Sequence, residues 1–158
     1  MKQKLQKVIS ALLLSAVLIM GFSAPTYAVT IEPGQKSGSF EVPANNKSGI
    51  PLVNKTGHPI NNLKLTASGT WNAGGETPSG IGPEGYPNWP GQKDFQYPDH
   101  PAFALVAQSK DRADDVRTVS VGTGLGFGND EGYSFLMNDK PQYYGDNSGK
   151  VTVNWSVP

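Results

Sequence analysis

Apolar residues alternate with polar ones in several short stretches of the chain, and this spacing constrains the fold more than any other feature. Successive side chains of a β-strand point to opposite faces, so an alternating run places its apolar residues on one buried face. Such alternation occurs at Leu63, Leu65 and Ala67, at Val119 and Val121, at Tyr133, Phe135 and Met137, and at Val151, Val153, Trp155 and Val157. We therefore predict strands with one buried face at these four places.

Glycine and proline support the same interpretation. The 158 residues include 19 glycines and 13 prolines, which break helices and favour tight turns. No stretch after residue 28 shows a helical repeat of useful length. The denser apolar segment 102–107 predicts a further strand, covered on both faces. Short strands joined by turns are typical of an antiparallel sandwich or jelly roll, so we expect an all-β fold.

The first 28 residues have the organisation of a secretory signal peptide. Three lysines precede an apolar run at 8–22, and small residues precede a cleavage point after Ala28. The run is about 15 residues long, shorter than the roughly 20 residues of a membrane-spanning helix. Residues 29–158 would then form a single exported domain, secreted or periplasmic and not inserted in a membrane. Since the chain has no cysteine, its stability must come from core burial, oligomerisation or a bound ion.

The charges do not favour nucleic acid or anionic membranes as partners. The chain carries 13 basic and 13 acidic residues, and the basic residues after the signal peptide are scattered along the sequence. A nucleic-acid-binding surface requires a basic patch. We therefore expect no nucleic-acid partner.

Oxygen-bearing side chains are concentrated in the segment 138–149, NDKPQYYGDNSG, between two of the predicted strands. Ca²⁺ binds six to eight hard oxygen ligands in irregular geometry, and the carboxylates, amides and carbonyls of a bent loop suit it. The same residue types also build ordinary turns. By itself, the segment is compatible with a calcium loop and with a plain turn.

A second long connection lies between Trp71 and Ala102. It contains six prolines, six glycines and four aromatic residues, and it lacks strand periodicity over about 30 residues. Loops longer than about 12 to 15 residues in compact domains are usually functional or disordered, and aromatic residues argue against disorder. We predict an ordered functional loop.

Several of these segments together resemble one protein family. Segment 138–149, followed by VTVN at 151–154, resembles the calcium and sugar loop of the bacterial galactophilic lectins of the LecA type, or PA-I lectins. Segments 42–49, 82–85 and 104–106 resemble the family in the same order, and 121–125 is a weaker match. The resemblance implies a small jelly-roll-like β-sandwich, galactose-binding-domain-like, in which one Ca²⁺ at an edge loop binds two neighbouring hydroxyls of galactose.

The resemblance also implies a set of calcium ligands. The side chains of Asp139, Asp146 and Asn147 would bind the ion, and Tyr143 would contribute its backbone carbonyl. A further carbonyl would come from the turn after Trp71. It is placed at Ala73, with the neighbouring residues on either side as alternatives. These five groups leave one or two positions of the calcium shell for water or sugar.

The implied sugar subsite combines part of the calcium loop with the long loop. The family has a His-Pro-x-Gln motif, for which Trp89-Pro90-Gly91-Gln92 is the counterpart, so Trp89 replaces the histidine. Its indole could lie flat on the sugar ring or pack within the loop. Two further departures are Asp146, where the family has asparagine, and Lys140, which could reach an acidic or substituted sugar. The implied sugar-binding residues are Trp89, Pro90, Gln92, Asp139, Lys140, Tyr143 and Asp146.

An enzyme and a protein-interaction module are the two alternative classes of function. Catalysis requires a positioned acid, base or nucleophile, but His58 and His100 are the only histidines and both sit in turn-like sequences. We therefore expect no catalytic residues and no enzymatic activity. The stronger alternative is a protein-interaction module that keeps Ca²⁺ for stability but has lost sugar binding. For a lectin, homo-oligomerisation is an expectation, because several sites per assembly raise avidity.

Overall fold

The computed structural model describes residues 28–75, 77 and 79–158. The predicted signal peptide, residues 1–28, lies outside the described residues except for Ala28, the last residue before the predicted cleavage point. The described chain is built from β-strands and two short 3₁₀ helices, which confirms the all-β fold class. Within this part of the chain, no helix is long and apolar enough to cross a membrane.

The strands are short except for β4. In chain order they are β1 (Val29–Ile31), β2 (Ser37–Pro43), β3 (Ile50–Asn54), β4 (Ile60–Asn72), β5 (Leu105–Ser109), β6 (Val116–Thr118), β7 (Thr123–Phe127), β8 (Gly132–Met137) and β9 (Ser148–Ser156). The 3₁₀ helices span Gln92–Asp94 and Tyr144–Asp146.

These strands form two sheets. The five-stranded sheet has the order β1-β3-β8-β5-β6 and the four-stranded sheet has the order β2-β9-β4-β7. Every pairing is antiparallel except that of β1 with β3. The apolar faces of the two sheets pack on each other, as shown by the edge-to-face contact between Phe40 in β2 and Phe135 in β8, with ring centroids 5.1 Å apart.

The alternating pattern predicts β4, β8 and β9 well, because every second residue of these strands faces the core, although Leu136 on the other face of β8 is buried as well. In β9, for example, Val151, Val153 and Trp155 are buried and the residues between them are not. The strand at Val119 and Val121 is a wrong prediction. Val119 is buried, but Val121 is 82% exposed in the turn before β7, where Gly122 has a positive φ of 81°.

The double-sided strand at 102–107 is partly correct. Residues 105–107 belong to β5 and are buried on both faces, since Tyr144 and Leu136 pack with Val106 on the side away from the main core. Residues 102–104 precede the strand, and Phe103 adopts a left-handed φ of 59° that interrupts it. This interruption turns Phe103 towards the end of the sandwich.

The strand register brings distant parts of the chain to that end. Trp71 pairs with Gly149 and Asn72 with Ser148, so β4 ends where β9 begins. Residues 138–147 link the end of β8 to the start of β9. The long connection after β4 returns to the same place through single bridges that pair Trp71 with Ile81 and Tyr86 with Ala102.

Candidate functional site

An open cleft of ≈ 230 Å³ lies at this end of the sandwich. Three segments line it: the turn after β4, the long loop that follows, and the loop from β8 to β9. Its lining residues are Ala73, Gly74, Gly75 and Thr77 from the first, Trp89, Phe95 and Phe103 from the second, and Asp139, Lys140, Tyr143 and Asp146 from the third. Seven of these eleven positions are apolar residues, glycines or aromatic rings, and three of the four remaining polar side chains lie in the third segment.

Asn138 joins the two longer loops. Its side chain is fully buried, and its Nδ2 donates to the carbonyls of Tyr97, His100 and Pro101 at 2.9, 3.2 and 3.0 Å. Its Oδ1 accepts from Tyr97 N–H at 3.0 Å, and its backbone carbonyl accepts from Phe103 N–H at 2.7 Å. One amide therefore fixes the position of the long loop relative to the residues that follow β8.

Asp139 and Asn147 are paired beneath the cleft. Both are buried, and Asn147 Nδ2 donates to Asp139 Oδ2 at 2.8 Å and to the Ala44 carbonyl at 3.3 Å. Lys140 N–H donates to Asp139 Oδ1 at 2.7 Å. Burial raises the pKa of the Asp139 carboxyl above its ordinary value, hydrogen bonds from Asn147 and Lys140 N–H oppose the rise, and the nearby Asp146 adds to it.

The amide oxygen of Asn147 fits a cation. Because Nδ2 takes both hydrogen bonds, Oδ1 is buried without a hydrogen-bond partner among the described residues, a state that costs about 1 to 3 kcal/mol. Within these residues no group of three His, Cys, Asp or Glu side chains comes together. An ion here would thus depend on two carboxylates with amide and carbonyl oxygens, a donor set suited to Ca²⁺.

Asp146 reaches the cleft through the 3₁₀ helix Tyr144–Asp146. The turn after β4 approaches it so closely that a Cβ on Gly74 would lie 2.5 Å from Asp146 Cγ. Gly74 also has a positive φ of 68°, so glycine is required there on both counts. This contact places Ala73, which is buried, beside the acidic loop. Gly74 O accepts from both the Thr77 N–H at 3.2 Å and the Thr77 hydroxyl at 2.5 Å, which occupies both of its lone pairs and favours the Ala73 carbonyl as a metal ligand.

Tyr144 anchors the same 3₁₀ helix. Its Oη donates to the Met137 carbonyl at 2.5 Å, and the distance from Oη to Gln96 Oε1 is 3.1 Å. Burial raises the pKa of Tyr144, so the hydroxyl stays protonated. Tyr143, by contrast, is half exposed at the edge of the cleft, and its carbonyl accepts from Asp146 N–H at 3.2 Å.

Three aromatic rings, Trp89, Phe95 and Phe103, form one side of the cleft, here called the aromatic wall. Phe103 is central, with edge-to-face contacts to Trp89 and to Phe95, each at 5.1 Å between ring centroids. Trp71 Nε1 donates to the Phe103 carbonyl at 2.9 Å and holds its left-handed backbone. Trp89 therefore packs within the loop and also lines the cleft. This position is compatible with a packing role and with contact to a sugar ring.

The other two positions carried over from the His-Pro-x-Gln motif lie outside the cleft lining. Pro90 is exposed. The side chain of Gln92 turns back into its own loop, where Nε2 donates to the carbonyls of Pro98 and His100 at 3.0 and 2.8 Å. The role of Gln92 in sugar binding stays a prediction, and in this structure its amide nitrogen closes the long loop.

Lys140 lines the cleft beside the aromatic wall. Its ammonium is 5.8 Å from the centre of the Phe95 ring and 3.5 Å from Asp94 Oδ2. Sequence reasoning named Lys140 but missed Asp94, Phe103 and Thr77. No local sequence pattern indicates a role for these residues. Phe103 lies within a predicted strand, and Asp94 lies in a loop among other polar residues.

The histidines do not contribute to the cleft. Ring nitrogen Nδ1 of His100 is 2.9 Å from Thr118 Oγ1, and His58 is exposed in the turn between β3 and β4. Neither residue lines the cleft. Their positions agree with the turn and loop roles expected from the sequence.

Comparison with known proteins identifies a similar structure. No family model and no curated protein matches the chain. Among solved structures, the chain is similar to a domain described as EclA N-terminal domain, PllA-like lectin, with a TM-score of 0.52 and 18% sequence identity. The match covers 78% of this chain and 97% of the other. The two proteins share a lectin-type β-sandwich fold.

Proposed function

We propose that this protein is a secreted, calcium-dependent lectin for galactose or galactosides. The observation that carries the proposal is the convergence of the Asp139 and Asp146 carboxylates with the aromatic wall in one cleft, with buried Asn147 bonded to Asp139 at 2.8 Å. The fold shared with a PllA-like lectin domain supports carbohydrate binding.

The oxygen donors suit one Ca²⁺ held by the side chains of Asp139, Asp146 and Asn147 and by the carbonyls of Ala73 and Tyr143. The unpartnered Asn147 Oδ1 supports this assignment. When bound, the ion would attract two neighbouring hydroxyls of a sugar ring and leave their orientation to the surrounding residues. One rigid sugar that replaces two waters loses less translational and rotational entropy than two separate ligands would lose.

The remaining residues would orient the sugar. The aromatic wall offers an apolar surface to the C–H face of a pyranose, which aromatic rings bind well. Asp139 can accept hydrogen bonds from a hydroxyl in addition to those from Lys140 N–H and Asn147, because a carboxylate has about four acceptor positions. Asp146, which lines the cleft, can accept in the same way.

Isothermal titration with galactose, in calcium and in excess chelator, tests the proposal. We expect binding in calcium and none in chelator. Weak affinity for a single sugar would be consistent with several sites per assembly in a homo-oligomer, which sedimentation would detect. If chelator lowers the melting temperature but glycan arrays show no binding in calcium, the protein is instead a calcium-stabilised interaction module.

A further inference from the structure

The cleft contains a cation that neither the calcium site nor the aromatic wall requires. Lys140 lines the cleft, and its side chain is 24% exposed. A lysine at the border of an apolar surface usually covers its methylene stem and keeps its ammonium in contact with water.

The position of the ammonium is defined by the long loop. It lies 5.8 Å from the centre of the Phe95 ring, within the range of a cation–π contact. Gly91 places no side chain beside the ammonium, where a Cβ would be in ordinary van der Waals contact with Lys140 Nζ at 3.6 Å and with Asp94 Oδ2 at 3.7 Å. The charge is therefore held at the cleft border without being covered.

The carboxylate of Asp94 satisfies this cation only weakly. The Nζ to Oδ2 distance is 3.5 Å, and the Asp94 side chain is 52% exposed. Exposed ion pairs of this kind contribute little to stability. Among the described residues it is also the one hydrogen bond that Nζ makes, although an ammonium has three donors. A carboxylate on a ligand could therefore take the place of Asp94, which would turn into water.

We infer that the cleft prefers galactosides that carry an anionic group, a hexuronic acid carboxylate or a sulfate ester, and that Lys140 recognises this group. The inference rests on the proposed function and specifies its ligand class. Asp94 acts as an internal competitor that sets the strength of the preference.

The experiment compares D-galacturonic acid with its uncharged methyl ester by isothermal titration at a fixed, saturating concentration of free calcium. We expect the wild-type protein to bind the acid about fivefold more tightly, equivalent to about 1 kcal/mol. Lys140→Gln should reduce this ratio to about one, and Asp94→Asn should increase it. Raising the salt to about 1 M, where the Debye length is about 3 Å, should also reduce it.

Lys93→Gln is the matched control, since this neighbouring lysine is exposed and does not line the cleft. It should leave the ratio unchanged. Galactose 6-sulfate, titrated against galactose with the same variants, separates the sources of the anion, because a Lys140-dependent preference for the sulfate identifies the ester. Equal binding of acid and ester by the wild type, without any preference for the sulfate, would overturn the inference. So would a preference that survives in Lys140→Gln.

Binding of the methyl ester and of galactose reports on the proposed function separately. If the wild type binds both neutral sugars but shows no preference for anions, only the assignment of Lys140 fails. If it binds neither the neutral nor the anionic sugars, the lectin proposal itself is wrong and the inference with it.

Discussion

Asn147 uses one half of its amide for packing and leaves the other half for a ligand. Its nitrogen is bonded to Asp139 and to the Ala44 carbonyl, and its buried oxygen has no hydrogen-bond partner among the described residues. Asp139 is in a similar condition, since its carboxylate is buried and its pKa is raised by that burial. A cation between the two would compensate both groups at once.

Asp139→Ala should abolish calcium binding and sugar binding together, because the carboxylate is proposed to hold the ion and to accept from a sugar hydroxyl. Titration with calcium and with galactose measures both losses. Asp139→Asn keeps the volume of the side chain and removes its charge, so it should fail in the same way while circular dichroism stays that of the folded protein. Asp99→Ala, an exposed aspartate outside the cleft lining, is the control. Undiminished sugar binding by Asp139→Ala would contradict the assignment.

Trp89→Ala should weaken sugar binding about threefold to tenfold, the effect of losing one aromatic contact, and leave calcium affinity unchanged. Because Trp89 also packs on Phe103, part of any loss could come from loosening of the loop. Trp89→Phe retains an aromatic ring at this position and should recover most of the affinity. Unchanged affinity in Trp89→Ala would assign the residue to packing alone.

At the scale of elements, the cleft depends on how loops are attached to the ends of strands. Asn138 follows β8 directly, and its side-chain amide donates to carbonyls of the long loop. The side-chain amide of Gln92 donates to two further carbonyls within the same loop. The described residues of this connection therefore form no regular strand, yet two side-chain amides fix its position.

Asn138→Ala should lower the free energy of unfolding by about 2 to 3 kcal/mol, because buried carbonyls of the long loop lose their donor, and it should weaken both calcium and galactose binding. Denaturant unfolding and titration measure the two effects. Asn54→Ala is a matched control: it is equally buried and donates to the His58 and Gly128 carbonyls at 2.7 and 2.9 Å, away from the cleft. It should cost similar stability and leave ligand binding intact. Equal ligand binding in both variants would show that Asn138 has no part in positioning the cleft.

The sequence predicted the strands in which every second residue faces the core. Alternation indicated β4, β8 and β9 correctly, but it failed at Val121, where a turn follows a single buried valine. The residues of the loop from β8 to β9 that are proposed to bind metal and sugar could be named from a local motif. Phe103 in the cleft lining and Asp94 beside Lys140 could not, because their places result from contacts between residues far apart in the chain.

At the scale of the whole molecule, the opposite end of the five-stranded sheet is held by a charge network. Asp115 Oδ2 accepts from Tyr133 Oη at 2.7 Å and Oδ1 accepts from Arg117 Nε at 2.7 Å, while Arg112 donates to both Asp115 and Tyr133. Burial alone would raise the pKa of Asp115, but these hydrogen bonds outweigh it and lower the pKa to about 2. In a chain without disulfides, such a network contributes to the stability of the sandwich.

Asp115→Asn should therefore destabilise the protein by about 1 to 2 kcal/mol at neutral pH, less than the full value of the pKa shift because the network is partly exposed. A lowered native pKa stabilises the fold above the ordinary value of 3.8 and loses that effect as the pH falls through about 2. The difference between wild type and variant should thus be constant above about pH 4 and vanish near pH 2. Urea unfolding in chelator measures it. Asp114→Asn, which removes the same charge from an exposed neighbour, should show no such difference at any pH.

The register between β4 and β9 brings Ala73 and Asp146 to the same cleft. Along the chain, these two residues are separated by more than half of the described residues. No nascent or misfolded copy can assemble such an arrangement before those strands have paired. Under the proposed function, retention on immobilised galactose in calcium would therefore report correct folding, because only molecules with the assembled cleft would be kept by the column.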